Sequence, residues 1–282
     1  MPKSVLITGC GPPGIGNALA LEFHLRGHRV FASGLSEDLL APVKDLQIET
    51  FVLDVTSTSS INSAVTHISS ATGGKLDILI NNAGVMHVMP FADTDVAEAR
   101  QLFEVNVLGV FAVTKAFLPL LLAASAKGDG SRPLVANIGS VNQVLRPAFL
   151  GIYNASKAAV ETLGGTIRNE LAPLGVRVVI VKTGSVHSSL FDNTPLKRLP
   201  DDSLYRPIRE FIEGREMLRS ARFIDADAYA KKVVTELLRP SVKPVIWAGG
   251  LTTIAWLLSW FGWEGMLDGL YIKKNHLDKI RR

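Results

Sequence analysis

A parallel α/β sheet, doubly wound with helices on both faces, is the fold class this sequence predicts, and three observations predict it. Short β-branched runs alternate with segments whose apolar residues recur every three or four positions. The first run opens directly into a glycine-rich turn, TGCGPPGIG at 8–16, followed by a helix-like segment. With 282 residues, 47% hydrophobic and 20% charged, the chain has enough apolar material for one large domain with a sizeable core.

Taken in order, the strand-like runs are SVLIT (4–8), RVFAS (29–33), ETFVLDV (49–55), LDILINN (76–82), PLVANIGS (133–140) and VRVVIVKT (176–183), with KPVIW (243–247) as a seventh. Helical rows separate them, such as Ala18, Leu21 and Leu25, or Ile61, Val65 and Ile68. Residues 1–248 therefore form the sheet domain. Within it, 184–224 lacks strand signals and mixes Pro, Arg, Asp and Phe, and 249–282 is a Trp-rich helical extension. The formal charge is +4 and the basic residues are dispersed, so nucleic acid is not an expected partner. A single cysteine, Cys10, permits no internal disulfide and suits a reducing compartment. The opening MPKSVLITG runs straight into the first strand, so a cytoplasmic location is expected.

Glycines at a strand-to-helix junction let the backbone turn tightly and approach a diphosphate, whose charge suits the amides of a helix N-terminus. Gly9, Gly14 and Gly16 stand at that junction, with Ile15 between the last two, and point to a Rossmann-type dinucleotide site. The segment resembles the TGxxxGIG turn of the short-chain dehydrogenase/reductase family. It differs by one extra residue between Gly9 and Gly14 and by the stiff pair Pro12-Pro13. Further matches follow in the family's order: LDV at 53–55, NNAG at 81–84, VNVLG at 105–109 and TGSV at 183–186, with Thr183 where the family usually has proline. The resemblance covers roughly residues 4 to 247. It implies that Asp54 and Val55 lie beside the adenine, and that Asn82, Ala83 and Gly84 floor the site. It also sets Val186 and Ser188 at the carboxamide end.

Tyr153 and Lys157 are four apart in GIYNASKAAVETL (151–163), hence neighbours on one helix face. A free phenol has a pKa of about 10 and is a poor acid–base group near neutrality. An adjacent ammonium favours the phenolate and is expected to lower that pKa. The spacing thus aims the tyrosine at a substrate carbonyl with the lysine behind it, and Lys157 can also reach nucleotide ribose. Ser140, thirteen residues before Tyr153, can hold the carbonyl oxygen. By resemblance, Asn106 completes a catalytic tetrad with Ser140, Tyr153 and Lys157.

A carboxylate ending the second strand would select NAD through the 2′-hydroxyl, and a nearby arginine would accept the 2′-phosphate of NADP. FASGLSED (31–38) offers neither: Gly34 takes the acidic position and Leu35 the basic one. Missing repulsion, together with the habit of similar family members, makes NADP(H) the expected coenzyme over NAD(H), with Ser33 and Ser36 as candidate phosphate donors.

SLYRPIREFIEGREMLRSARF (203–223) interleaves apolar residues with Arg206, Arg209, Arg215, Arg219 and Arg222. It reads either as a mobile lid with an apolar inside and a basic rim, or as an amphipathic helix with a solvated face. His187 is a further candidate contact. From Pro244 to Trp263 no residue is charged, but Gly249-Gly250 breaks the run and leaves too little to span a bilayer. Trp256, Trp260 and Trp263 fall on one helical side and Lys273, Lys274, Lys279, Arg281 and Arg282 follow. Peripheral membrane contact, a dimer contact and a flap over the active site all fit that pattern. Within the family the chain most resembles fungal NADPH-dependent 1-acyldihydroxyacetone-phosphate reductases and ketoreductases of secondary metabolism. The resemblance implies a homo-oligomeric oxidoreductase acting on a hydrophobic ketone or alcohol, lipid-like, polyketide or terpenoid. The competing expectation is a catalytically silent nucleotide-binding or scaffolding protein on the same fold.

Overall fold

A computed structural model describes residues 2–126, 132–188, 190, 194–219 and 222–280. Positions 189, 191–193 and 220–221 of the expected lid, the Arg219 side chain, and Arg281 and Arg282 of the basic tail lie outside what is described. Seven parallel strands form one sheet: β1 (Ser4–Ile7), β2 (Arg29–Gly34), β3 (Glu49–Val52), β4 (Ile78–Asn81), β5 (Leu134–Ile138), β6 (Arg177–Thr183) and β7 (Val245–Ala248). Their spatial order is β3-β2-β1-β4-β5-β6-β7. The chain therefore winds outward in both directions from β1 and β4, and a crevice opens at their C-terminal ends, where such sheets bind ligands.

Alternation along each strand sends side chains to opposite faces. Val5, Ile7, Ile78 and Ile80 pack with Leu19 and Phe23 of α1 (Ile15–Leu25) in one core cluster. Leu6 and Leu79 face the other way, against Ile68 of α3 (Thr58–Thr72) and Phe117 of α5 (Gly109–Ser125). Burying each such side chain contributes ~1.5–3 kcal/mol. Around them, α2 (Glu37–Lys44) follows β2, α4 (Val96–Phe103) precedes α5, α6 (Asn142–Leu145) and α7 (Gly151–Leu171) follow β5, and α10 (Ala226–Leu237) packs on α1. The run Val96–Ser125 is long and apolar enough by composition to cross a membrane. Val113, Phe117, Leu120 and Leu121 are instead buried against the sheet, as in a core helix.

Several expectations change in detail. β3 stops at Val52, which releases Leu53, Asp54 and Val55 into the loop over the crevice. The buried face of α1 is Ala18, Leu19 and Phe23 rather than the Ala18–Leu21–Leu25 row, and Leu25 is exposed. Residues 203–223 are not one helix. A 3-10 turn at Arg206–Ile208 precedes α8 (Arg209–Glu213) and α9 (Glu216–Arg219), broken where Arg215 adopts φ 51°. Arg215 donates to the carbonyl of Thr194 at 2.7 Å, and Arg209 to that of Pro200 at 3.1 Å. These two arginines tie the loop's own backbone down and do not form a free basic rim. In the extension, α11 (Thr252–Phe261) ends before Gly262, so Trp263 lies beyond the helix that carries Trp256 and Trp260. The last helix is α12 (Asp268–Lys274).

Candidate active site

One cavity of about 780 Å³ runs along the C-terminal edge of the sheet. Of the catalytic tetrad and the cofactor-cradle residues, all line it except Gly16 and Asn106; the further candidates Ser33, Ser36 and His187 do not. Its first half is made of backbone. Gly9 has φ +72°, and a Cβ there would lie 2.6 Å from Ala83 Cα. Only glycine allows the first turn to touch the loop after β4. Gly16 serves the same contact from behind, since a Cβ would fall 2.6 Å from Asn82 Nδ2. Asn82 donates from that amide to the carbonyls of Thr8 and Gly9, both at 2.9 Å, and Thr8 Oγ1 accepts from the amides of Asn82 and Ala83 at 3.0 Å. Thr8 is a positioning residue the motif reading missed, although it precedes Gly9 directly in the turn. Gly14 caps α1 with no side-chain bond, leaving the first-turn amides to a ligand. This cradle, closed to any Cβ and open at a helix N-terminus, fits a dinucleotide diphosphate.

At the adenosine end, Asp54 accepts from the amide and hydroxyl of Thr56, at 2.9 and 2.7 Å. Cys10 donates its amide to Ser33 O at 2.7 Å, and its carbonyl lies 2.9 Å from where a Gly34 Cβ would be. The Cys10 carbonyl thereby crowds any side chain at Gly34, the position where the resemblance expects the residue that discriminates NAD from NADP. Ser33 is a correction: it is fully buried and donates to Ile7 O at 3.2 Å, so it offers nothing to a phosphate. Ser36 accepts from the amide of Leu39 as the cap of α2, whose first turn carries Glu37 and Asp38. Among the described lining residues no lysine or arginine stands at this end.

The catalytic candidates meet where α7 crosses β5. Tyr153 is 7% exposed and its hydroxyl hydrogen-bonds with Ser140, which also accepts from the amide of Asn142 at 3.1 Å. Lys157 Nζ lies 5.8 Å from the centre of the Tyr153 ring and donates to Ile138 O at 3.0 Å. The expected lowering of the phenol is not what the environment gives. Burial pushes Tyr153 up to about 12, against a smaller lowering by Ser140. Burial also brings Lys157 down to about 8. Two charges-to-be share one dry pocket, so desolvation disfavours both ionised forms. Asn106 stands one layer back, in a π-helical turn (Glu104–Leu108) joining α4 to α5. It accepts from the Val85 amide at 2.8 Å, and donates to Val85 O at 2.9 Å and Ser156 Oγ at 3.1 Å. Asn106 therefore pins α7 to the loop that floors the cavity, and π-turns are frequent at such places.

The second half of the cavity is apolar. Met86, Leu150, Met217 and Leu218 line it, and a third hydrophobic cluster joins Met86, Leu150 and Tyr153 to Ile208 and Ile212. Val186 is buried after β6 and Ser188 follows it on the wall. His187 does not line the cavity; its ring stacks on Phe223 at 4.9 Å. The loop is clamped elsewhere by Glu98, which accepts from His87 Nε2 at 2.8 Å and pairs with Lys197; both partners hold the carboxyl below its usual range. Motif reading missed the extension's share of the site. Leu251, Tyr271, Lys274 and Asn275 line the same cavity. The inner side of the extension thus lines the mouth, while Trp260, Phe261 and Trp263 are exposed on its other side.

A model of the family described as short chain dehydrogenase matches residues 3–198. The chain is 42% identical over 241 residues to the short-chain dehydrogenase ptmH of Penicillium ochrochloron, covering 84% of each. It is 40% identical over 280 residues to short-chain dehydrogenase PC-15 of Penicillium crustosum, covering 98% of this chain and 96% of that one. Among solved structures, a short-chain dehydrogenase from Streptomyces avermitilis superposes with TM-score 0.77 at 27% identity, over 99% of this chain and 97% of the other. At 24% identity and TM-score 0.73, the NADH complex of 3-ketoacyl-(acyl-carrier-protein) reductase from Brucella melitensis shares the fold over 88% of this chain and 96% of its own.

Proposed function

The chain belongs to the short-chain dehydrogenase/reductase family of oxidoreductases, and on that premise we propose that it exchanges a hydride between NADP(H) and the carbonyl or alcohol carbon of a hydrophobic substrate. One observation carries the reading: Ser140, Tyr153 and Lys157 converge on a single cavity whose other half is a glycine cradle. The backbone at Gly9, Gly14 and Ile15 would hold the diphosphate, Asp54 and Val55 the adenine side, Asn82 to Gly84 the floor, and Val186 and Ser188 the carboxamide end. Bound reduced nicotinamide supplies the hydride.

The protein's own groups handle the oxygen and the proton. Ser140, its hydroxyl oriented by the Asn142 amide, donates to the substrate carbonyl. Tyr153 Oη, kept protonated by burial, gives its proton to that oxygen as the carbonyl carbon is reduced. Lys157, beneath the ring, stabilises the phenolate that results and anchors ribose. The apolar second half of the cavity suits lipid-like, polyketide or terpenoid ketones. The preference for NADP(H) rests on the side chain that Gly34 cannot carry. With no lysine or arginine among the described lining residues at this end and Glu37 and Asp38 in the first turn of α2, that preference is expected to stay under ~10-fold, or 1.4 kcal/mol.

The test is a panel of hydrophobic ketones with NADPH and NADH, followed by nicotinamide absorbance, in wild type and Tyr153→Phe. Removing a positioned acid is expected to slow reduction by about 10²–10⁴-fold with coenzyme binding kept. A variant as fast as wild type would refute the assigned chemistry. A wild type that binds coenzyme and reduces nothing would favour the silent scaffold instead.

A further inference from the structure

The residue that ends β6 sits at a fork. Thr183 stands where the family usually has proline, is buried, and lines the cavity. On one side its carbonyl accepts from the Val141 amide at 2.9 Å, and the Gly139 amide donates to Val181 O at the same distance. Ser140 is therefore held between two residues bonded to the end of β6. On the other side the chain enters the loop at the carboxamide end. Gly184 donates its amide to Ala248 O at 2.8 Å, Ser185 exchanges bonds with Gly250 at 3.0 and 3.1 Å, and the His187 amide donates to Ile224 O at 2.9 Å.

The Thr183 side chain has a fixed partner. Its hydroxyl shares a hydrogen bond of 2.7 Å with the hydroxyl of Tyr229. Tyr229, on α10, is fully buried in the core cluster that holds Val181, Val186 and Ile246. Burial pushes its phenol well above the ordinary range, so the pair stays neutral at working pH. Proline at 183 would fix φ through its ring. Threonine has no ring, and the bond to an immobile tyrosine supplies a constraint in its place.

We infer that Tyr229, acting through Thr183, is a positioning residue for hydride transfer that aligns Ser140 with the nicotinamide end of the coenzyme. The inference rests on the reductase reading. Tyr229 does not line the cavity; it holds the residue shared by the backbone bonds behind Ser140 and the loop that follows β6. The diphosphate and adenosine ends come from β1, β2 and β4, with β5 standing between them and β6. Loss of the pair should therefore be felt at the nicotinamide alone.

The experiment measures kcat for ketone reduction and Kd for NADPH and for 2′-phospho-ADP-ribose, which lacks nicotinamide. It uses wild type, Tyr229→Phe, Thr183→Val and the two double variants Tyr229→Phe/Thr183→Val and Tyr229→Phe/Thr183→Pro. Each single variant should lower kcat about tenfold and raise the NADPH Kd several-fold, with the fragment Kd unchanged. The Phe/Val double should be no worse than either single, because one bond can be lost only once. The Phe/Pro double should regain most of kcat, since a ring replaces the lost constraint. The inference is overturned if Tyr229→Phe keeps wild-type kcat and NADPH Kd, or if NADPH and the fragment weaken equally, which would make Tyr229 a general core residue. Multiplied losses in the Phe/Val double overturn it as well, and this arm keeps both side-chain shapes should the proline variant fail to fold. A wild type that reduces no ketone defeats the reductase reading separately, and the two Kd values still decide the inference.

Discussion

The two halves of the cavity are built on opposite principles. The coenzyme half is backbone held against backbone: Gly9 against Ala83, the Thr8 hydroxyl against two amides, the Cys10 carbonyl over Gly34. It comes from the ends of β1, β2 and β4, which lie side by side in the sheet. The substrate half is side chain against side chain, from helices and loops at 86, 150, 217, 251 and 271. A diphosphate is the same in every coenzyme, so its cradle can be rigid and short-range. A substrate differs from enzyme to enzyme, and its chamber is made from the segments that can change without disturbing the sheet.

The contrast breaks most severely at Gly9. Gly9→Ala imposes a left-handed conformation on a residue with a side chain, ~1–2 kcal/mol, and drives Cβ into Ala83. The expected outcome is a rise of about 100-fold or more in coenzyme Kd by fluorescence titration, equivalent to ~3 kcal/mol. An unchanged Kd would show that the cradle tolerates displacement. At the junction of the halves, Lys157→Met separates activity from stability. Its ammonium is brought from 10.5 to about 8 by burial, a cost of ~3 kcal/mol while the charge is retained. Both folded and unfolded states hold the proton below about 8, so the penalty is complete there and disappears as pH rises towards 10.5. Wild-type stability should therefore climb across that window. At pH 7 Lys157→Met should be more stable by ~2 kcal/mol in urea titration, after losing about 1 kcal/mol for the bond to Ile138, and should be nearly inactive. Ketone reduction by wild type should fall as pH rises through about 8, with Tyr153 still protonated. A flat profile from 7 to 9 would remove the charged lysine from the mechanism.

The substrate half should respond least. Tyr271→Phe deletes one hydrogen bond to Leu145, worth ~1 kcal/mol. It should raise KM for ketone a few-fold and leave coenzyme Kd unchanged. Equal effects on both would mean that the extension braces the whole cavity rather than one wall.

Legibility in the sequence follows the same division. The cradle and the Tyr153–Lys157 pair were readable because their geometry is local: a turn needs glycine where φ is positive, and residues four apart share a helix face. Ser140 and Asn106 needed the motif order as well, and the actual work of Asn106, bonding Val85 and Ser156, was visible only once α7 and the π-turn were in contact. Ser33 misled because a serine ending a strand looks available in one dimension, whereas its hydroxyl points into the sheet towards Ile7. The arginines of 203–223 misled similarly, since Arg209 and Arg215 bond carbonyls that lie close only after the loop has folded.

By itself the sequence determined the parallel sheet, the glycine turn at the strand-to-helix junction and the pairing of Tyr153 with Lys157 on one helix face, because periodicity and glycine placement act over a few residues. Tertiary structure alone decided the direction in which Tyr153 and Lys157 are shifted, since burial outweighs the charge pairing that spacing suggests. It alone decided that Gly34 cannot carry a side chain, because the obstructing carbonyl belongs to another strand's loop. And it alone brought Tyr271 and Lys274 to the cavity, more than a hundred residues after Tyr153, where only packing of the extension on α6 and the lid can put them.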